Sequence, residues 1–207
     1  MRKITITFAS IFILGFISCS DSSSDAVPET GNVSFEISGD IEGNIQGEIA
    51  TFEGTTGGGN IPYQFYFDFS DASLNRSFNI SFTMYSDEPI DLPPTGSYDL
   101  RVPISQDFEN WDPQDGPPQP VFATDAFNAD FSDLRAGITN PVNYDIVTEL
   151  DGYPSGGTLV ITSSSADLIE GTFEFTGNNV EYTDFEYEVL GSVNVVNGEF
   201  RAIPVPR

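Results

Sequence analysis

The chain has 207 residues, of which 32 are acidic, 7 are basic and none is histidine. A net charge of −25 repels phosphate backbones, so we do not expect nucleic acid among its partners. Lys3 is the only lysine and Cys19 the only cysteine, which removes the bases that serine nucleophiles need and the usual nitrogen and sulfur ligands of zinc.

The chain begins with the pattern of a bacterial lipoprotein signal. Arg2 and Lys3 precede an apolar run over 4–17, and Ser18 then precedes Cys19. The run has fewer residues than the roughly 20 that a membrane-spanning helix needs. We therefore predict a signal peptide over 1–18 and attachment of acyl chains, such as palmitate, to Cys19. In the alternative interpretation, Cys19 is an ordinary small residue at the end of a cleaved signal.

Polar and acidic residues follow the cysteine. The sequence SDSSSDAVPET at 20–30 offers nothing to bury, so we expect 19–32 to form a flexible tether between the lipid and the folded domain. The only membrane contact that we predict is this N-terminal lipid.

Beyond the tether, apolar and polar residues alternate in short runs, as in half-buried β-strands. The clearest runs are 63–69 and 78–85, whose short linker predicts antiparallel neighbours. Further strands are expected at 33–37, 45–52, 98–102, 142–150, 159–161, 169–175 and 185–196. No window shows helical periodicity. We predict one all-β domain over 33–207, an antiparallel β-sandwich or, as the alternative, a β-barrel.

Turn residues separate these runs at 57–60, 93–96, 151–152 and 177–179. Asn197-Gly198 suits a type I′ hairpin turn. That turn would fold 200–205 back on 193–196 as a closing strand.

Residues 105–137 contain several prolines and aspartates, so we expect a long insertion that cannot pair regularly. It contains Trp111, the only tryptophan, close to Phe108. Aromatic rings in such a loop can contact a sugar or a protein partner. The alternative is that they pack the loop onto the domain.

Four acids in the same segment could offer oxygen ligands to calcium. They are Asp107, Glu109, Asp112 and Asp115, with Asp125, Asp130 and Asp133 further along. Their spacing does not match the calcium loop of helix-loop-helix proteins. A solvated acidic loop is the competing interpretation, and no other cofactor is expected.

Three C-terminal segments form a recognisable succession: GTLVIT at 157–162, IEGTFEF at 169–175 and VNVVNGEF at 193–200, with GSYDL at 96–100 before them. The succession resembles a family of uncharacterised Bacteroidetes lipoproteins, over most of 33–207. The resemblance implies a β-rich fold and an outer-membrane location, and it carries no catalytic residues. The stretch SDSSSD at 20–25 resembles a signal for export to the cell surface; a plain tether is the alternative.

These features favour a membrane-anchored, non-enzymatic binding or structural lipoprotein of the cell envelope, with a glycan or a protein as partner. Two carboxylates at a suitable separation can hydrolyse a glycosidic bond without another titrating group. A carboxylate-dependent glycoside hydrolase is therefore the alternative from a different functional class.

Overall fold

A computed structural model describes residues 31–55, 63–71, 77–86, 88–102, 104–106, 120–122, 125–135, 140–147, 152–183 and 186–205. Within these ranges the chain forms strands and no helix. The strands are β1 (Asn32–Gly39), β2 (Gly43–Gly47), β3 (Ile49–Thr55), β4 (Tyr63–Ser70), β5 (Phe78–Ser86), β6 (Gly96–Leu100), β7 (Ile104–Gln106), β8 (Pro120–Phe122), β9 (Ala126–Asp133), β10 (Val142–Asp145), β11 (Gly156–Ser164), β12 (Ile169–Thr183) and β13 (Glu186–Pro204). In the same ranges we find no long apolar helix of the kind that a bilayer crossing requires.

Eight strands pair in a closed ring, in the order β12, β11, β6, β9, β5, β4, β3 and β13, with β13 returning to β12. β1 pairs with β13 and β2 with β1, while β10 lies between β9 and β12. β7 and β8 form a separate two-stranded sheet. The predicted all-β fold is confirmed, and a sandwich and a barrel are both consistent with strands that surround one core.

The main sheet is mixed rather than wholly antiparallel. β6 runs parallel to β9, and β3 runs parallel to β13, each over two paired residues. Parallel neighbours need a long crossover connection, which a hairpin turn cannot supply. For β6 and β9 the chain between Leu100 and Ala126 provides that crossover.

Phenylalanine fills the space inside the ring. Phe65, Phe67 and Phe69 alternate along β4 and are fully buried. The ring of Phe200 lies 5.2 Å from that of Phe67 and 5.1 Å from that of Phe69, and the ring of Phe173 lies 5.8 Å from that of Phe69. These centroid separations are within the favourable range for aromatic pairs. The predicted strands over 63–69 and 78–85 are confirmed as antiparallel neighbours with one buried face.

The predicted strand over 45–52 is two strands. β2 pairs with β1, whereas β3 pairs with β4, and exposed Glu48 lies between them. The inward positions change phase at this point, because Gly47 is buried at an odd position whereas Ala50 and Phe52 are buried at even ones.

The predicted hairpin at Asn197-Gly198 is wrong, because β13 runs unbroken from Glu186 to Pro204. Asn197 has a φ of 52°, which such a turn requires, but it lies in a β-bulge. The register shifts across it in the ladders with β1 and with β12. Neighbouring strands on both sides keep the chain extended here. The turn expected at 177–179 is also wrong, because these residues lie inside β12.

The expectation that 105–137 cannot pair regularly is wrong for its C-terminal part. β9 occupies Ala126–Asp133 and pairs with β5 over seven residues. The prolines of this region lie before residue 121, so they do not interrupt β9. Phe127, Ala129 and Phe131 are buried at alternate positions of this strand. Residues 105–106 and 120–122 also pair, as parts of β7 and β8. Residues 107–119, 123–124 and 136–137 lie outside the described residues.

Candidate functional site

A row of polar side chains crosses four neighbouring strands on the outside of the sheet. Asp68 of β4 lies opposite Ser81 of β5, Ser81 opposite Asp130 of β9, and Asp130 opposite Asp145 of β10. Directly opposed residues share one face of a sheet, and the adjacent residues of each strand are buried inside the ring. We call these four residues the carboxyl row.

Hydrogen bonds tie the carboxyl row to its neighbours. Asn79 Nδ2 donates to Asp68 Oδ1 at 2.7 Å, and Ser81 Oγ donates to Asp130 Oδ2. Next to the row, the Tyr66 hydroxyl donates to Glu53 Oε2 at 2.8 Å. Within the row, one hydrogen bond crosses a strand boundary, from Ser81 of β5 to Asp130 of β9.

Two carboxyls of the row, those of Asp130 and Asp145, have raised pKa values. Burial raises the pKa of Asp130, the hydrogen bond from Ser81 partly offsets this, and the charge of Asp68 raises it further. Burial also raises the pKa of Asp145, and the charge of Asp130 adds to that effect. The ionised row therefore holds unfavourable charge at neutral pH.

The arginines of the described ranges are all paired with acids elsewhere. Arg101 binds Asp125 at 2.9 Å, Arg135 binds Asp133 at 2.7 Å, and Arg201 binds Glu170 at 2.9 Å. The charge of the carboxyl row is therefore not neutralised by an arginine of these ranges.

A second polar site surrounds the bulge at Asn197. A groove of about 410 Å³ lies on the outer face of β11, β12 and β13. Its lining includes Thr158, Thr172, Glu174, Asn197 and Glu199. A Cβ atom on Gly198 would lie 2.6 Å from the ring of Phe173, so the bulge needs glycine at this position. We call this site the bulge groove; it offers hydroxyl, amide and carboxylate oxygens.

The site residues predicted from the sequence lie outside the described ranges. They are Cys19, Phe108, Trp111 and the calcium candidates Asp107, Glu109, Asp112 and Asp115. Of the acids further along, Asp130 and Asp133 lie in β9, and Asp125 pairs with Arg101. Within the described ranges, no group of three or more acids is arranged to hold a metal ion.

Protein-family models, curated proteins and solved structures were compared with this chain. None matches it.

The carboxyl row could not be predicted from the sequence, because the residues around Asp130 have the composition of a loop. The signal was present in 126–133, where phenylalanine and alanine alternate with Asn128, Asp130 and Ser132. Alanine contributes little to an apolar pattern, and the nearby prolines favoured a loop. The register that aligns these four strands is a long-range property, which no local pattern contains.

Proposed function

We propose that this chain is a lipid-anchored, non-enzymatic binding or structural module of the cell envelope, attached to the outer membrane and exposed at the cell surface. Support for the anchor comes from the sequence: a charged start, a short apolar run and a single cysteine at position 19. The acidic, serine-rich residues after Cys19 suit a tether that holds the domain away from the membrane.

The distribution of polar groups between the inner and outer faces of the sheet supports a binding or structural role. The inward faces of the ring carry buried phenylalanines, such as Phe67, Phe82 and Phe127, which leave the interior packed. The acids of the carboxyl row and of the bulge groove lie on the outer faces. A partner would therefore meet the outer surface of the sheet.

The resemblance to uncharacterised Bacteroidetes lipoproteins supports the same proposal. Its segments at 157–162, 169–175 and 193–200 lie in β11, β12 and β13, which are consecutive members of the ring. The segment at 96–100 forms β6, the next neighbour of β11. The shared residues thus belong to one continuous part of the sheet.

A glycan or protein partner is proposed to contact the 105–137 segment through Trp111 and Phe108. The part of this segment in β9 presents Asp130, a member of the carboxyl row, on the outer face of the sheet. In the test, Trp111→Ala should weaken binding of a captured glycan or protein without lowering the unfolding midpoint. A lower midpoint with unchanged binding would assign Trp111 to packing.

Lipid attachment is tested with the full chain in a Gram-negative host grown with labelled palmitate. We expect the chain to carry the label, to fractionate with outer membranes, and to yield an N-terminal peptide that starts at acylated Cys19. Cys19→Ser should abolish all three, whereas Ser24→Ala in the tether should change none. An unlabelled chain in the soluble fraction would contradict the anchor. Digestion by protease added to intact cells tests exposure at the cell surface.

One observation favours the carboxylate-dependent glycoside hydrolase as a second candidate. Asp130 and Asp145 are directly opposed, and burial raises the pKa of both carboxyls. Opposed side chains have Cβ atoms about 5 Å apart, close to the separation of roughly 5 Å between the carboxylates of retaining enzymes. If the pair is catalytic, Asp130→Asn and Asp145→Asn should each abolish glycoside hydrolysis, whereas the exposed control Asp167→Asn should retain it.

A further inference from the structure

β2 (Gly43–Gly47) forms one end of the main sheet. It pairs with β1 along its whole length, and among the described strands β1 is its only partner. Asn44 and Gln46 are exposed, while Ile45 lies opposite Phe35 and packs partly against the core. Such an edge carries backbone N–H and C=O groups that can pair with another extended chain.

The sequence of β2 does not protect this edge in the usual way. Edge strands are commonly protected by lysine, by proline or by a bulge. β2 reads GNIQG, with no charged residue and no proline, and its pairing with β1 has no register shift. The strand therefore retains a regular hydrogen-bonding edge.

Acidic residues surround the neutral strand. Glu36 of β1 lies opposite Asn44, Glu42 directly precedes β2, and Glu48 directly follows it. All three glutamates are exposed. The arginines of the described ranges are already paired with Asp125, Asp133 and Glu170. Arg201, which lies opposite Asn32 of β1, is the one that binds Glu170. The local potential around the edge is therefore negative and attracts a positively charged chain.

We propose that the free edge of β2 binds an extended, basic segment of a protein partner, which adds to the sheet as a further strand. Backbone hydrogen bonds supply the pairing. Lysine or arginine at alternate positions of the segment lies near Glu36, Glu42 and Glu48. The intervening positions, on the side of Ile45, suit apolar residues.

A second copy of this chain fits the edge less well. Two copies paired through β2 would bring both sets of three glutamates together, and each chain has a net charge of −25. Like charges placed together at an interface disfavour that partner. The same glutamates that oppose self-association favour a basic strand.

The inference rests on the proposed role as a binding module and does not depend on the lipid. The test uses the full chain in detergent and a short synthetic peptide of alternating lysine and valine. We expect saturable binding by calorimetry, weakened by added salt, and slower hydrogen exchange of the 43–47 amides when the peptide is present. A peptide of alternating glutamate and valine should not bind.

Two controls separate strand addition from general charge attraction. A lysine-valine peptide with N-methylated backbone keeps its charge and loses N–H donors, so it should bind much more weakly. The triple variant Glu36→Gln, Glu42→Gln, Glu48→Gln should weaken binding about tenfold, since three surface charge contacts are lost. The matched variant Glu88→Gln, Glu181→Gln, Glu188→Gln removes the same charge from exposed positions outside both candidate sites and should bind like the parent.

The inference is overturned if the peptide does not bind, if both triple variants lose affinity equally, or if the N-methylated peptide binds as well as its parent. It is also overturned if the chain is a dimer whose 43–47 amides are protected without peptide. A chain that is acylated at Cys19 but does not bind the peptide overturns this inference alone. A chain that binds the peptide but is not acylated overturns the anchor and leaves this inference intact.

Discussion

Asp130 of β9 lies directly opposite Asp145 of β10, on the same outer face of the sheet. Ser81 donates a hydrogen bond to Asp130, and Asp68 adds a further negative charge on the far side of Ser81. Like charges that face each other across two strands destabilise the pairing. The sheet keeps them together because the inward residues of these strands, such as Phe82 and Phe131, are buried in the core.

Asp130→Asn should stabilise the domain at neutral pH by about 0.2–1 kcal/mol, the range of one cross-strand pair. Burial and Asp68 raise the pKa of Asp130 in the folded state above its ordinary value of 3.8. The folded state thus binds the proton more tightly than the unfolded chain does, and the cost of the charge disappears as pH falls through the folded pKa. The advantage of the variant in urea denaturation should therefore shrink between pH 7 and pH 4.

Asp133→Asn is the matched control, and its expected effect on stability is opposite to that of Asp130→Asn. Burial alone would raise the pKa of Asp133, but the hydrogen bonds and the charge of Arg135 lower it overall. Ionised Asp133 therefore stabilises the fold, and that stability is lost as pH falls through its lowered pKa. The variant should be less stable than the parent at pH 7. Equal effects of Asp130→Asn and Asp133→Asn would contradict both assignments.

Phe200→Ala should reduce the free energy of unfolding by about 4 kcal/mol, the typical cost of a phenylalanine deleted from a packed core. The ring of Phe200 lies within 6.4 Å of those of Phe67, Phe69 and Phe173. Leu190 is 54% exposed, so Leu190→Ala should change stability by less than about 0.5 kcal/mol. Urea titrations of both variants measure the contrast, and similar losses would show that Phe200 does not lie at the centre of the core.

Much of the fold could be predicted from local alternation. The runs that form β4 and β5 have phenylalanine, isoleucine or methionine at every second position, and this pattern has no other simple explanation. Which strands pair with one another was not predictable from local alternation. Thr51 of β3 pairs with Ile203 of β13, and no local signal connects residues so far apart in the chain.

The candidate site was less predictable than the fold. The carboxyl row exists because four strands align Asp68, Ser81, Asp130 and Asp145 in register, so its members are scattered along the sequence. Composition indicated many acids but gave no way to choose among them. At Asn197 the reverse holds. The positive φ expected from the sequence is present, but the hairpin turn expected with it is absent.

The calcium alternative makes a separate prediction. If Asp107, Glu109, Asp112 and Asp115 bind calcium, the unfolding midpoint of the full chain should rise saturably with calcium and not with magnesium at equal ionic strength, because a ligand of the native state stabilises it. Asp112→Asn should reduce the shift, whereas Asp167→Asn, in the turn before β12, should keep it. Identical midpoints in calcium and chelator would identify these acids as a solvated segment.

Asn197→Val should destabilise the domain by about 1–2 kcal/mol, because a β-branched side chain disfavours the left-handed backbone conformation at this position. Asn197→Gly should be nearly neutral, since glycine adopts a φ of 52° without strain. Asn194→Val makes the same substitution at an exposed position of the same strand without positive φ. It removes one exposed hydrogen bond, from Thr176 Oγ1, and should cost no more than about 0.5 kcal/mol. If valine is tolerated equally at both positions, the bulge relaxes at little cost, and the shape of the bulge groove is not fixed by Asn197.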